Sequence, residues 1–188
     1  MMPSFDMMQQ CAPSVAPSTL AAIIQVESGG NPWALGVNAH HHQIIRTRAH
    51  SLPEAAQLAH YYMHLGYSVD LGLMQINSKN LKGLNLSVEK VLDPCHNLQA
   101  GSRILARGYM GAAKRYGEGQ VALKAALSAY NTGNYEQGFL NGYVAKYESR
   151  SVSMTVRSVS FNPRLAQSQR GFENPYTAET TVYKLSQE

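Results

Sequence analysis

Pro17-Ser-Thr-Leu-Ala-Ala-Ile-Ile-Gln-Val-Glu27-Ser28-Gly-Gly30 carries the pattern that decides the fold. Leu20, Ile23, Ile24 and Glu27 fall at i, i+3, i+4 and i+7, one face of a helix. Pro17 suits the first helical position, and Gly29-Gly30 stop the helix. A carboxylate therefore ends a stripe whose spacing predicts another Leu or Ile. Partial burial disfavours its charged form, and so does the negative end of the helix dipole. Both favour a Glu27 that keeps a proton near neutral pH and can donate it. The alternative is an exposed last-turn Glu with no role, and the rest of the chain must decide between them.

Further helix signals lie on either side of a less regular middle. Ser51-Leu-Pro-Glu54 reads as a capping box opening a helix over residues 55–65, with Gly66 as its stop. Ser87 opens a short helix. Asp93-Pro94 caps a long one running toward Tyr116, with Leu98, Ile104 and Leu105 on its apolar side. Gly101, Gly108 and Gly111 interrupt that helix, each at a cost of about 1 kcal/mol relative to Ala, which close packing would have to offset. Residues 120–129 form another strong helix and residues 143–149 a weaker one. Residues 31–50 are expected to be irregular, and residues 69–77 a short strand or a loop. The expected fold class is mostly α, one domain over residues 10–148 with little or no β-sheet. From Ser151 polar and apolar residues alternate, then Asn162-Pro and Asn174-Pro break the pattern. With few large apolar residues to bury, residues 149–188 are expected to be a flexible or partner-binding C-terminal tail.

Composition narrows the function classes. The chain has 188 residues, 44% hydrophobic and 15% charged, which fits one globular domain with a sizeable core. A net charge of +4 is compatible with a polyanionic substrate or a membrane surface. No basic stripe of the nucleic-acid kind is present, and no apolar run is long enough to cross a bilayer. Residues 1–10 lack a positive region and a continuous apolar run, so they do not read as a signal peptide and leave the export route open. The two cysteines, Cys11 and Cys95, have no neighbouring ligand pair and make a poor metal site. They are a disulfide candidate in an oxidising compartment and two buried thiols otherwise. The run His40-His41-His42 reads as a solvated loop, because adjacent side chains cannot all face one metal. His60 and His64 stand at i, i+4 without the intervening Glu of a zincin, so no metal and no cofactor is expected.

Two other segments carry groups suited to a saccharide. In Asp70-Leu-Gly-Leu-Met-Gln-Ile-Asn77, Gly72 permits a close approach, Met74 offers an adaptable apolar surface, and Gln75 both donates and accepts. In Ser128-Ala-Tyr-Asn-Thr-Gly133, the Tyr130 hydroxyl can orient a carboxyl and Asn131 can bond a substrate amide, while Gly133 stops the helix. Trp33, the only tryptophan, can stack on a sugar or pack against the first helix.

Glu27-Ser28, Gly72-Leu-Met-Gln-Ile76 and Ala129-Tyr-Asn131, in this order and spacing, resemble the lytic transglycosylases, which share the lysozyme-like fold. The longer run, with Cys11-Ala-Pro, Gly36-Val-Asn, Asp70-Leu and Asp93-Pro-Cys95, is similar to those encoded with type IV secretion and conjugation systems. The family commonly has Ser where this chain has Asp70, so a Ser contact is not carried over to that position. The resemblance implies a periplasmic lyase of peptidoglycan that opens the cell wall locally for a secretion apparatus. Its bond would be the β-1,4 link between N-acetylmuramic acid and N-acetylglucosamine. Glu27 would be the acid and base, Tyr130 would hydrogen-bond and aim it, and Ser28, Gly72, Met74, Gln75 and Asn131 would line the saccharide cleft. The tail would meet secretion-system subunits. The alternatives are a hydrolytic muramidase that uses Asp70 or another carboxylate, and a noncatalytic glycan-binding assembly module.

Overall fold

A computed structural model describes residues 1–38 and 44–148 of the chain. The elements run α1 (Phe5–Cys11), α2 (Pro17–Glu27), β1 (Ala34–Asn38), β2 (Ile44–Arg48), α3 (Leu52–His64), β3 (Ser68–Leu71) and β4 (Ile76–Asn77). A 3-10 turn (Ser78–Asn80) leads to α4 (Leu81–Leu84), α5 (Val88–Val91), α6 (Pro94–Tyr116), α7 (Gln120–Thr132), α8 (Gln137–Leu140) and α9 (Ala145–Glu148). The described part is mostly helical with one small antiparallel sheet. The histidine run and the tail after residue 148 lie outside the described residues.

Local chemistry sets most helix ends. Pro17 opens α2, and Gly29 and Gly30 take φ of +62° and +84° just past its end, where an L side chain would be strained. Ser51 Oγ accepts from Glu54 N, while Glu54 Oε2 accepts from His50 N at 2.8 Å, so α3 starts at Leu52 rather than at residue 55. Asp93 accepts from His96 N at 3.0 Å and starts α6.

The sheet corrects the expectation of an irregular stretch over residues 31–50, because β1 and β2 both fall within it. Strand order is β2-β1-β3-β4. Leu35, Gly36 and Val37 are all buried, so β1 has both faces covered and shows no alternation of polar and apolar residues. β4 has only two residues, too few for any pattern to register.

The core gathers Leu20, Ile23 and Ile24 of α2, Leu71 of β3, Leu73, Met74 and Ile76 of the following turn and strand, and Leu98 of α6, each no more than 1% exposed. Leu20, Ile23 and Ile24 are the apolar stripe that leads to Glu27. The interrupting glycines of α6 are contact points: Met74 fills the space where a Gly101 side chain would stand, and Ala126 of α7 lies against Gly108. Burial on that scale offsets the helix propensity lost at each glycine. Cys11 of α1 and Cys95 of α6 are joined by a disulfide across 84 residues of chain.

Candidate active site

Glu27 closes the last turn of α2 and is half-buried. Burial is the main force pushing its carboxyl above the ordinary range. The Asp70 charge pushes the same way, while a hydrogen bond from Tyr143 and the cations Lys146 and Arg46 pull it down. The net shift is upward, as the stripe leading to Glu27 predicted.

The hydroxyl aimed at Glu27 is not the expected one. Tyr130, near the end of α7, donates its one proton to the Met74 carbonyl at 2.7 Å. Tyr143 donates to Glu27 Oε1 instead, and its own oxygen lies 2.6 Å from the Tyr147 hydroxyl. One order of donation satisfies both bonds: Tyr147 to Tyr143, then Tyr143 to Glu27. Tyr143 and Tyr147 are 4% and 1% exposed, which keeps this pair dry and its bonds strong. Burial first, and then the Glu27 charge, push the Tyr143 phenol far above its ordinary value, so it stays a donor. Tyr130 still belongs to the site, since burial and then the Glu27, Tyr147 and Asp70 charges raise its phenol too.

The Gly72–Ile76 segment acts chiefly through its backbone. Met74 is fully buried, which removes its side chain from the cleft. Its N–H donates to Asn97 Oδ1 at 2.8 Å, and its carbonyl takes the Tyr130 proton. Asn97, buried on α6, also donates to the Leu71 and Val91 carbonyls at 2.9 and 2.7 Å. The same amide sits where a side chain at position 72 would go, so the close approach that Gly72 permits is Asn97's rather than a ligand's. Ser28, expected in the cleft, donates to the Leu73 carbonyl at 2.8 Å and accepts from Gly30 N at 3.2 Å, pinning the end of α2 to this segment.

Two expected cleft residues keep groups for a substrate. Gln75 has a left-handed backbone (φ +49°), and its Nε2 donates to the Ala34 and Gly72 carbonyls at 3.1 and 2.9 Å. Its Oε1 is left as an acceptor beside Gly36. Asn131 is exposed at the end of α7 and accepts from Asn141 Nδ2 at 3.2 Å. Asn141 Oδ1 in turn accepts from Tyr143 N at 2.9 Å, so Asn131 is tied to the residue that holds Glu27. Trp33 is partly buried and packs against the core.

Four residues form a row across the sheet. Gly36 of β1 pairs with Arg46 of β2 on one side and Asp70 of β3 on the other, and Asp70 pairs with Asn77 of β4. Directly opposed residues share a face, and Asn38, two along from Gly36, shares it as well. Asp70 Oδ2 accepts from Asn38 at 2.9 Å and Oδ1 from Asn77 at 2.7 Å. Arg46 donates from Nη1 to the Glu27 carbonyl at 3.3 Å, which brings the row to the acid. Burial pushes the Asp70 carboxyl up, against the pull of both asparagines and Arg46. Among the described residues, no group of three His, Cys, Asp or Glu is placed to hold a metal ion. His60 pairs with Glu89 at 2.8 Å.

Sequence reasoning missed Tyr143, Tyr147, Arg46, Lys146, Asn38, Asn77 and Asn97. The one available signal was the spacing of Tyr143 and Tyr147 at i, i+4 in a weak helix, which puts two phenols on one face.

Residues 6–152 match the family model described as Transglycosylase SLT domain. The chain is 42% identical over 146 residues to a protein named virB1 from Rhizobium radiobacter, covering 78% of this chain and 59% of that protein. It is 38% identical over 172 residues to virB1 of Agrobacterium fabrum (strain C58 / ATCC 33970), covering 92% and 66%. With the type IV secretion system protein virB1 of Brucella suis biovar 1 (strain 1330), identity is 39% over 171 residues, covering 88% and 70%. The chain thus spans less than two thirds of the length of the Rhizobium and Agrobacterium relatives. No solved structure matches it significantly. The family model covers well over half of the sequence, and the chain belongs to the transglycosylase SLT domain family.

Proposed function

We propose that the chain is a lytic transglycosylase of peptidoglycan, cutting the β-1,4 bond between N-acetylmuramic acid and N-acetylglucosamine and leaving 1,6-anhydromuramic ends. The observation that carries this reading is Glu27 itself: a half-buried carboxyl with raised proton affinity that also has a dedicated hydroxyl donor. Burial and Asp70 favour the protonated form, while Tyr143, Lys146 and Arg46 support the ionised one. A group balanced in this way can serve as acid and then as base.

Glu27 gives its proton to the leaving glycosidic oxygen while oxocarbenium character builds at the muramic anomeric carbon. The muramic acetamide oxygen stabilises that carbon from within the substrate. Ionised Glu27, held by the Tyr143 hydroxyl, then takes the proton of the sugar's own C6 hydroxyl, whose oxygen closes the anhydro ring. A tethered nucleophile replaces the second carboxylate that ordinary glycosidases use. Gln75 Oε1 and the Asn131 amide are the saccharide contacts in this scheme. The work proposed for it is in the periplasm, clearing murein for a type IV secretion system, a reading supported by the Brucella relative's name as a type IV secretion system protein. Subunits of that system are the proposed partners of residues 149–188.

A hydrolytic muramidase is the second reading, and Asp70 is the observation in its favour. Against it, both Asp70 oxygens already accept from fixed amides, which suits a standing charge better than a water-activating base. Digestion of purified murein by wild type and Glu27→Gln, followed by mass spectrometry of product ends, tests the proposal. Anhydro ends from wild type and none from the variant are expected. Reducing ends alone favour the hydrolase, and bound murein without released fragments favours a noncatalytic module.

A further inference from the structure

We propose that Asp70 is a positioning residue for the Glu27 acid: a carboxylate fixed by two asparagines that acts on Glu27 through its charge, without touching substrate. The inference rests on the reading of Glu27 as the acid.

The geometry is specific. Asn77 cannot turn its amide round without loss, because its Oδ1 already accepts from Lys79 N at 3.0 Å. Asn38 Nδ2 donates to the Ser68 carbonyl at 3.3 Å as well as to Asp70. Both amides are therefore set to present N–H groups to Asp70, one to each oxygen. A protonated Asp70 would find no acceptor in either amide, so the clamp favours the ionised form against the cost of burial. Sheet register then fixes where that charge stands. Asp70 and Arg46 flank Gly36 on one face, and Arg46 reaches the Glu27 carbonyl. Gly36 keeps the strip between them low, since a side chain there would press on Gln75 Oε1. The sheet thus holds one negative and one positive charge beside a single acid.

The two charges oppose each other at Glu27. Asp70 from β3 disfavours a second negative charge there, and Arg46 from β2 favours it. The other groups at Glu27 are Tyr143, with Tyr147 behind it, Lys146 on α9, and Tyr130 on α7. The amides that fix Asp70 belong to Asn38 and Asn77, which are not among these groups, so the Asp70 effect is separable.

The test follows the Glu27 carboxyl by carbon-13 NMR titration in the full chain, for wild type, Asp70→Asn, Asp70→Ser and Arg46→Gln. Murein release is measured across pH with the same proteins. The Glu27 midpoint is expected to fall in both Asp70 variants and to rise in Arg46→Gln. Murein release by the Asp70 variants should drop several-fold at pH 7 and recover at more acid pH. Asp70→Ser removes the charge while leaving a hydroxyl that can accept from the asparagines, so it decides the matter if Asp70→Asn fails to fold. An unmoved or raised Glu27 midpoint in the folded Asp70 variants overturns the proposal. So does a loss of activity that is equal at every pH, which marks a merely structural role. If wild type releases nothing from murein, the proposed function fails, and the NMR midpoints still decide this inference.

Discussion

Replacing Tyr143 with Phe removes one oxygen atom and probes the acid more directly than any change to Glu27 itself. That oxygen donates to Glu27 Oε1 and lies 2.6 Å from the Tyr147 hydroxyl. A hydrogen bond to a charged group contributes about 1.5–3 kcal/mol, and here it supports the ionised carboxylate more than the neutral carboxyl. At about 1.4 kcal/mol per factor of ten, ionisation of Glu27 becomes roughly ten- to a hundredfold less favourable. Tyr143 is a downward influence on a carboxyl that burial has already raised, so its loss moves the midpoint further up. The stability change is smaller, about 1 kcal/mol for the bond between the two phenols. NMR titration of Glu27 reads the first quantity and urea unfolding the second. In murein digestion the alkaline limb should move to higher pH while the plateau rate falls, because a weaker and less firmly held acid is slower at every pH. A Glu27 midpoint that stays in place or falls in Tyr143→Phe would falsify the assigned donor.

Two further outcomes follow from the same structure. Glu27 and Asp70 are both raised above their ordinary values of 4.5 and 3.8, so the folded state binds more protons than the unfolded one in that window. Their contribution is fully present below those values and is lost as pH rises through the raised ones. Glu27→Gln should therefore be more stable than wild type at neutral pH and lose that advantage below about pH 4; thermal melts across pH check this, and an equal difference at all pH contradicts it. Breaking Cys11–Cys95 reopens a loop of 84 residues, which the chain-entropy model values at about 4–5 kcal/mol. Urea unfolding of Cys11→Ser/Cys95→Ser against wild type measures it, and a difference below about 1 kcal/mol rules that model out here.

The parts of the fold that were legible in the sequence are those written in neighbouring residues. The stripe ending at Glu27 and the caps at Ser51 and Asp93 depend only on residues a turn away. A short strand within residues 69–77 was legible, but β1 and β2 were not, because β1 is covered on both faces and its pairing with β2 and β3 is decided in three dimensions. The site was half legible for the same reason. Glu27 carries the raised carboxyl that its stripe predicts, but Tyr130 bonds the Met74 carbonyl instead of Glu27. Met74 and Ser28 were read as cleft-lining side chains and Gly72 as room for a ligand, whereas packing uses all three to shape backbone. Tyr143 stood outside every local motif, since nothing near it in sequence reveals a partner in α2.

Glu27 and the hydroxyl that holds it are 116 positions apart, the acid in the second helix and Tyr143 just ahead of α9, the last of the described helices. A ribosome that has emitted only the first hundred residues has made the proposed acid but not its holder. An unfinished product, or one clipped ahead of Tyr143, therefore carries the proposed acid without the bond that holds it. For a protein proposed to dissolve the wall around the cell that makes it, this late completion of the site comes from chain order alone.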